Sequence, residues 1–193
     1  MLTKITLLYK QKKYKETEEK IYLLINHIKS KNKTVETDKH YLWFCHVKLA
    51  NCERRKDNYK QAIDIAKTAL LYCTIESEKL ECYWIMGICN KYIDEILIAL
   101  ECYDKCIDGY SRSEDIERLV KVLKCKALML HDEQLLQDAI DVFKKSEKIN
   151  LALLEDLNKT LNEMKIYNDS DNKNSNIGNV ISLDTYKALH NKQ

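Results

Sequence analysis

The sequence contains no proline and only three glycines among its 193 residues. All-β folds need many tight turns, and proline and glycine are among the residues that form them most readily. Their scarcity therefore argues against an all-β fold. Apolar residues make up 45% of the chain and charged residues 32%, which is an ordinary balance for a globular protein. At this length we expect a helical domain with a sizeable core.

An excess of one charge is also missing, as is any long apolar run. Lys and Arg total 32 against 30 Asp and Glu, so the net charge of +2 gives no reason to expect nucleic acid as a partner. The apolar runs are too short to span a membrane, and Ile5–Tyr9 is too short for a secretory signal. We therefore expect a cytoplasmic chain without a membrane partner. Its eight cysteines should be reduced and structural.

The segment Phe44–Leu70 has the pattern of two antiparallel helices. Leu49 and Ala50 lie on the inward face of the first helix, and alanines recur at spacings of three and four on the second. Asp57 and Asn58 interrupt the pattern between them. Asn58 is a candidate N-cap, with Gln61 three residues on completing a capping box. Such a hairpin cannot bury both faces alone, so it needs neighbours of its own kind.

Similar hairpins follow along the chain. Ala62 of the first repeat has counterparts 37 residues later and 40 residues after that, at Ala99 and Ala139. Two further slots, twelve residues before and seven residues after this alanine, are always small: Ala50, Gly87 and Ala127, then Ala69, Cys106 and Ser146. The slot four residues after the alanine holds Ala66 in the first repeat and the larger Tyr103 and Phe143 in the second and third. Small residues are expected where two helix backbones cross closely.

This pattern resembles the tetratricopeptide repeat (TPR) family, whose helix pairs have small residues at three fixed positions. The match covers roughly residues 40 to 149, with a divergent copy before it. The resemblance implies an all-α, right-handed superhelix of three to four TPR-like hairpins with a C-terminal capping helix. We expect the repeat domain at residues 1–166 and, from the polar composition that follows, a flexible polar tail with a short apolar segment at 167–193. The longer periods resemble those of peptide-sensing regulators of low-GC Gram-positive bacteria, the Rap and quorum-sensing regulator group.

Helix ends are predicted from local signals. The divergent N-terminal hairpin should occupy residues 2–12 and 14–29, and the three repeats should begin near residues 38, 78 and 114. Ser77 is a candidate cap, Gly109 a candidate helix C-terminus, and Ser111 with Glu114 a capping box. The capping helix, about 151–166, is predicted from apolar residues at helical spacing: Leu151, Leu154, Leu157, Leu161 and Met164. A short apolar segment, Val180–Leu189, follows a polar tract.

No pattern of catalytic residues stands out. The chain has no glycine-rich phosphate loop, no HExxH, no Gly-x-Ser-x-Gly and no CxxC, so we expect neither an enzyme nor a cofactor. Four cysteines recur at equivalent positions of two repeats, which raises the alternative of a zinc site: Cys45, Cys52, Cys82 and Cys89. However, residues seven apart on a helix are separated by about 10 Å, so thiol packing in a core is favoured over a metal site.

The TPR resemblance implies a ligand groove lined by the first helices of successive repeats. Carried onto this sequence, its ligand positions are Phe44, Val47, Asn51, Arg54 and Arg55; Glu81, Trp84, Ile88, Lys91 and Tyr92; and Lys121, Lys124, Leu128, His131 and Asp132. The expected peptide-binding residues among them are Asn51, Arg54, Arg55, Trp84, Ile88, Lys91, Tyr92, Lys124, Leu128 and His131.

Each residue type in this set has a use in holding an extended peptide. The Asn51 amide can donate to and accept from a peptide backbone, and Arg54 and Arg55 can each hold a carboxylate with two hydrogen bonds. Trp84 and Ile88 can contact apolar side chains of the peptide. The sequence therefore predicts a non-catalytic peptide- or protein-binding module, in its sharpest form a receptor for a short signalling peptide.

Two alternatives stay open. One is a structural adaptor or a homodimer that uses the convex face or the C-terminal tail. The other is a sensor module whose DNA-binding half is a separate polypeptide or has been lost.

Overall fold

The computed structural model describes residues 1–31, 35–144 and 151–171, and all regular structure in these ranges is helical. Their nine helices are α1 (Leu2–Lys10), α2 (Tyr14–Lys29), α3 (Glu36–Arg55), α4 (Tyr59–Leu70), α5 (Glu76–Tyr92), α6 (Ile96–Arg112), α7 (Ile116–Leu130), α8 (Glu133–Lys144) and α9 (Leu151–Asp171). The all-α prediction is confirmed. Ser146 and the apolar segment Val180–Leu189 lie outside the described residues. Across the described ranges, every helix is too short or too polar to pass through a lipid bilayer.

The chain divides into two compact units, Met1–Gly109 and Tyr110–Gln193. In unit 1, one apolar cluster joins α1, α2 and α3 around Ile5, Ile21 and Leu42. A second cluster joins α3, α4 and α5 around Ala50 and Ile85. Because α3 contributes to both clusters, it is the central helix of this unit.

Helices α3 and α5 lie side by side and run parallel. The Trp43 indole Nε1–H of α3 donates to the Glu78 carbonyl oxygen of α5 over 3.2 Å. Near the other end of the pair, Arg54 is close enough to Cys89 to lower the pKa that burial raises in this thiol. Both contacts join residues that are 35 positions apart in the sequence. This constant offset requires parallel helices, and α4 packs against both of them.

The small residues occupy the buried crossings, as their spacing predicts. The eight that lie in the described residues are all buried: Ala50, Gly87, Ala127, Ala62, Ala99, Ala139, Ala69 and Cys106. At Gly87 a Cβ atom would lie only 2.6 Å from Cε1 of Tyr103. The Tyr103 ring of α6 therefore occupies the space that a side chain at position 87 of α5 would need.

Gly109 has a different role from the one its sequence position suggests. We predict it as a helix C-terminus, but α6 continues through it to Arg112. A Cβ atom at Gly109 would lie 2.4 Å from Cδ2 of Leu80. The glycine is therefore explained by its close packing against Leu80, and no glycine in the described residues has a positive φ.

The hairpin turns share one backbone conformation, and it is made without glycine. Five non-glycine residues have φ between 50° and 62°, each just after a helix: Lys12, Asp57, Asp94, Glu114 and His131. In each turn the next backbone N–H donates to the carbonyl oxygen five residues earlier, as in a Schellman motif. This left-handed conformation strains residues that carry a Cβ atom, so the bond must stabilise it.

The positions of these turns give a different register for the third repeat from the one that the alanine alignment gives. Asp57, Asp94 and His131 follow one another at intervals of 37 residues. The alanine alignment instead gives 37 and then 40 residues, because Ala139 lies eight residues after its turn whereas Ala62 and Ala99 lie five residues after theirs. The buried small residues of the third hairpin are therefore shifted by three positions relative to the turn.

Buried carboxylates in the first turns of α3 and α5 bind backbone N–H groups that lie just before these helices. Glu78, which is 2% exposed, accepts the Thr74 backbone N–H at 2.7 Å and lies 2.6 Å from Nδ1 of His40. Asp38 accepts the Val35 N–H in the same way and pairs with Lys31 Nζ at 2.7 Å. Helix α5 starts at Glu76, so Ser77 is inside it and is not its cap.

Asn58 is the N-cap residue of α4, as predicted, but its side chain makes no cap bond and its Nδ2 donates to Glu53 Oε2 at 2.7 Å. The predicted cap of α7 is wrong. Ser111 lies inside α6 and Glu114 in the following turn. The cap of α7 is Asp115, whose Oδ1 accepts the Arg118 backbone N–H at 3.2 Å.

Unit 2 packs α7, α8 and α9 around one apolar cluster: Val120, Ala127, Leu136, Ala139, Ile140, Leu153, Leu157, Leu161 and Met164. The predicted capping helix exists and extends to Asp171, five residues beyond its expected end. Leu151 was expected on its buried side but is 70% exposed, and Leu153 is buried in its place. The buried stripe of α9 therefore begins at Leu153 and not at Leu151, the first apolar residue of the helix.

Candidate functional site

Two neighbouring stripes of half-exposed and exposed side chains lie on α3 and α5. On α3 the stripe comprises Phe44, Lys48, Asn51, Arg54 and Arg55, and on α5 it comprises Glu81, Trp84, Ile88, Lys91 and Tyr92. Each stripe lies opposite positions that are buried in the clusters of unit 1. Because α3 and α5 run parallel, the stripes form one surface, which we call the α3–α5 face.

Asn51 and Arg54 are bound to each other on this face. The Asn51 Oδ1 atom accepts hydrogen bonds from Arg54 Nε at 3.3 Å and Nη2 at 3.1 Å, and Asn51 Nδ2 donates to the Val47 carbonyl oxygen at 3.1 Å. The role of Asn51 in binding a peptide backbone stays a prediction, since its oxygen is already paired with Arg54 and only the second Nδ2 hydrogen is left for a ligand. In the structure Asn51 orients the Arg54 guanidinium.

The outer edge of the Arg54 guanidinium remains available. A guanidinium has five N–H groups, and the bonds to Asn51 use one on Nε and one on Nη2. The edge formed by Nη1 and the second Nη2 hydrogen can still donate two parallel hydrogen bonds to a carboxylate. Among the described residues, Arg55 and Lys91 have no ion-pair partner. Three cations are thus present at the C-terminal ends of α3 and α5.

Aromatic and aliphatic side chains occupy the middle of the face. Trp84 and Ile88 are half-buried, and the Trp84 ring contacts Tyr103 with 5.9 Å between ring centroids. Val47, another expected ligand residue, is only 2% exposed and belongs to the core, so its predicted place in the groove is wrong. An apolar side chain of a ligand would therefore meet Trp84 and Ile88.

Lys48 and Tyr9 contact this face but are not among the positions that the TPR resemblance predicts. The Lys48 Nζ atom lies 5.4 Å from the ring centroids of both Tyr9 and Phe44, which is within the range of cation–π interactions. Lys48 follows Phe44 by four residues, so their contact could have been expected from helical spacing alone. The contribution of Tyr9 requires the packing of α1 beside α3.

Tyr92 is part of a stacked tyrosine pair at one end of the face. Its ring, 59% exposed, is nearly parallel to that of Tyr59, with 4.7 Å between centroids. The Tyr59 hydroxyl donates to Asp57 Oδ1 at 2.6 Å, and this bond raises the pKa of Tyr59 to about 12. Residues 57–61 and Ile93 line a shallow cleft of about 300 Å³ beside this pair.

The three expected binding residues of the third repeat lie in unit 2 and contact α9 or the core. Lys124 Nζ pairs with Asp156 Oδ2 at 2.6 Å, and the His131 ring stacks on Tyr167 with 5.3 Å between centroids. Leu128 packs against the apolar cluster of this unit. Lys121, a further groove position, pairs with Glu117. Seven of the ten expected residues therefore lie on α3 and α5 of unit 1, and the other three lie in unit 2.

The cysteines are free thiols. Burial raises the pKa of Cys45 and Cys106 to about 12 and that of Cys89 to about 11. A thiolate, which is the form that binds metal, is therefore disfavoured at these positions. Within the ranges that the structure describes, no three His, Cys, Asp or Glu side chains are grouped so as to hold a metal ion.

Comparisons with known proteins give no match: no model of a protein family, no curated protein and no solved structure matches this chain. The function must therefore be inferred from the α3–α5 face. This face combines a fixed guanidinium, two further cations and half-buried apolar side chains.

Proposed function

We propose that the chain is a non-catalytic module that binds a peptide or protein segment along the α3–α5 face. The observation that carries this proposal is the Arg54 guanidinium, which Asn51 holds with its outer edge available. A guanidinium in this state suits a carboxylate better than a mobile lysine does, because its two parallel donors match the two carboxylate oxygens.

We further propose that the hairpins belong to a right-handed TPR-like superhelix. Three observations support this: α3 and α5 lie parallel, small residues fill the buried helix crossings, and the turns at Asp57, Asp94 and His131 recur every 37 residues. In repeats of this kind the first helices stand side by side, which leaves one row of them for an extended ligand.

The chemistry of the face defines the ligand class. Arg54, Arg55 and Lys91 favour a segment with a free C-terminal or side-chain carboxylate, and Trp84 and Ile88 favour an apolar side chain next to it. Eight free thiols fit a reducing compartment, so the proposal places this receptor in the cytoplasm. A short signalling peptide with one acidic and one apolar end would have both features.

The test uses peptides selected on the intact chain. A library of random peptides displayed with free C-termini is selected against the protein, and the recovered peptide is titrated by calorimetry. We expect Arg54→Ala with Arg55→Ala to weaken its binding by about tenfold or more, because charge-assisted hydrogen bonds are lost. Arg54→Lys should lose part of the affinity, since lysine keeps the charge but not the paired donors.

A matched control removes two positive charges elsewhere. Lys15→Ala with Lys67→Ala changes exposed positions on α2 and α4, away from the face, and should leave the affinity unchanged. Equal affinity of the wild type and of the double arginine variant would disprove the assignment of the face.

A further inference from the structure

Two cysteine thiols of unit 1 are in contact beside the start of α5. The Sγ atoms of Cys73 and Cys82 are 4.0 Å apart. Cys82 is fully buried in the cluster between α3, α4 and α5, whereas Cys73 is half-exposed in the connection between α4 and α5. One thiol of the pair can therefore be reached from solvent while the other is shielded.

We infer that Cys73 and Cys82 are an oxidisable pair that closes to an intramolecular disulfide in the presence of a hydroperoxide. With hydrogen peroxide, the Cys73 thiolate attacks one oxygen, the O–O bond breaks, and Cys73 becomes a sulfenic acid. The departing hydroxide takes up the proton that the Cys73 thiol lost and leaves as one water. The Cys82 thiolate then attacks the sulfenic sulfur, the S–O bond breaks, and the departing hydroxide takes up a proton as a second water. Two thiols thus lose two electrons and two protons to one peroxide.

The position of Cys73 allows the sulfur atoms to approach. A disulfide needs an S–S distance of about 2.05 Å, so the two atoms must move together by about 2 Å. Cys73 lies between the end of α4 at Leu70 and the start of α5 at Glu76, so its backbone is not fixed by a helix. Its Sγ is bound only weakly, to the Ala69 carbonyl oxygen at 3.5 Å. A change at Cys73 alone can therefore close the bond.

The order of the two steps follows from burial. Cys82 is shielded from the oxidant, so Cys73 reacts first and Cys82 resolves the sulfenic acid. Burial also raises the pKa of both thiols, which makes the thiolate scarce at neutral pH. Bond formation should therefore be slow at neutral pH and faster as the pH rises.

The bond would join the end of α4 to the core of unit 1. Cys82 packs in the cluster that contains Val47 and Ala50 of α3, and it contacts the Trp43 side chain. Oxidation would therefore tie the connection between α4 and α5 to the interface of α3 and α5. This inference does not depend on the proposed ligand.

The test maps the bond in the full-length chain. The reduced protein is treated with hydrogen peroxide at about pH 8, where more thiolate is present, and the remaining thiols are blocked with N-ethylmaleimide. Trypsin separates the two cysteines by cleaving after Lys79. Mass spectrometry should then find residues 68–79 linked to residues 80–91, with fragmentation placing the bond on Cys82 and leaving Cys89 alkylated.

Two variants complete the experiment. Cys73→Ser should abolish the linked peptide, whereas Cys125→Ser, which changes the other half-exposed cysteine, should leave it unchanged. In Cys82→Ala, Cys73 should accumulate as a sulfenic acid that dimedone traps. Oxidation of wild-type Cys73 to a sulfinic acid with Cys82 alkylated, or a bond from Cys73 to a different cysteine, would overturn the inference.

Discussion

Gly87 and Tyr103 form the closest approach between helices α5 and α6. A Cβ atom at Gly87 would lie 2.6 Å from Cε1 and 2.8 Å from Cδ1 of the Tyr103 ring, which is completely buried. A rigid ring in a packed core cannot yield as a flexible side chain can. The glycine on one helix and the tyrosine on the other are therefore one packing unit, although sixteen positions separate them in the sequence.

We predict that Gly87→Ala lowers the free energy of unfolding by about 1–2 kcal/mol, measured by urea denaturation. Overpacking costs about 1–3 kcal/mol, and the better helix propensity of alanine offsets part of it. In a Tyr103→Ala background the same substitution should cost nothing or stabilise the protein, because the ring is gone. An equal cost in both backgrounds would show that the two sites are independent.

Gly109→Ala should lower the free energy of unfolding by less than Gly87→Ala does, because the added methyl group meets the flexible end of Leu80.

At the residue scale, the sequence predicted positions on a face better than the bonds made there. Arg54, Trp84 and Ile88, which the TPR resemblance places in a groove, are half-exposed. The resemblance could not show that Asn51 donates to the carbonyl of Val47 one turn earlier, because asparagine can bind nearby backbone or a ligand equally well. Whether the Asn51 amide binds its own helix or a ligand depends on the position of the Arg54 guanidinium. A spacing pattern does not describe that position.

The helices themselves were predicted more closely than their ends. The segment 14–29 was expected to be helical, and α2 is Tyr14–Lys29. Asn58 is the N-cap residue of α4, but its side chain binds the buried Glu53 and makes no cap bond. Ser77 is not the cap of α5, because this helix begins at Glu76. The left-handed turns were also missed, since Lys12 and Glu114 are not residues that usually favour this conformation.

Glu78 binds the backbone just before helix α5, and its effect on stability should depend on pH. Burial alone would raise the pKa of this carboxyl, but the bonds from Thr74 and His40 lower it below the ordinary value of 4.5. Folding therefore favours the charged form. This contribution to stability is complete above about pH 4.5 and is lost as the pH falls through the lower pKa of the folded state.

We predict that Glu78→Gln lowers the free energy of unfolding by about 1–3 kcal/mol at neutral pH, as expected for lost hydrogen bonds to a charged group. The difference from the wild type should shrink as the pH falls below about 4.5, measured by thermal unfolding from neutral to acidic pH. Glu76→Gln, an exposed neighbour in the same helical turn, is the matched control and should change stability little. A difference that stays constant with pH would contradict this role for Glu78.

At the scale of the whole molecule, the two compact units can be followed separately. Both tryptophans, Trp43 and Trp84, lie in unit 1, so intrinsic tryptophan fluorescence reports on that unit alone. Circular dichroism reports on the helices of both. The boundary between the two units lies within α6 and could not be derived from the repeat pattern, because the pattern continues across it. What distinguishes the third hairpin is that Ala127 and Ala139 are shifted by three residues relative to the turn at His131.

We predict that Leu157→Ala lowers the stability of unit 2 by about 2–5 kcal/mol, since Leu157 is completely buried. In urea, the circular dichroism signal should then begin to fall before the tryptophan fluorescence changes. Lys124→Ala breaks the ion pair with Asp156, whose side chain is 56% exposed, and should cost about 1 kcal/mol or less. Coincident transitions of Leu157→Ala by both probes would show that the units unfold as one.

The bond between Asn51 and Arg54 has a consequence for the entropy of recognition. Immobilising a long side chain on binding costs about 0.5–1.5 kcal/mol, and here folding has already ordered the arginine. For the ligand that we propose, this preorganisation should lengthen the lifetime of the complex. An alanine at Asn51 would leave every charge of the face in place and still release the ligand sooner, since Arg54 would have to be ordered anew in each encounter.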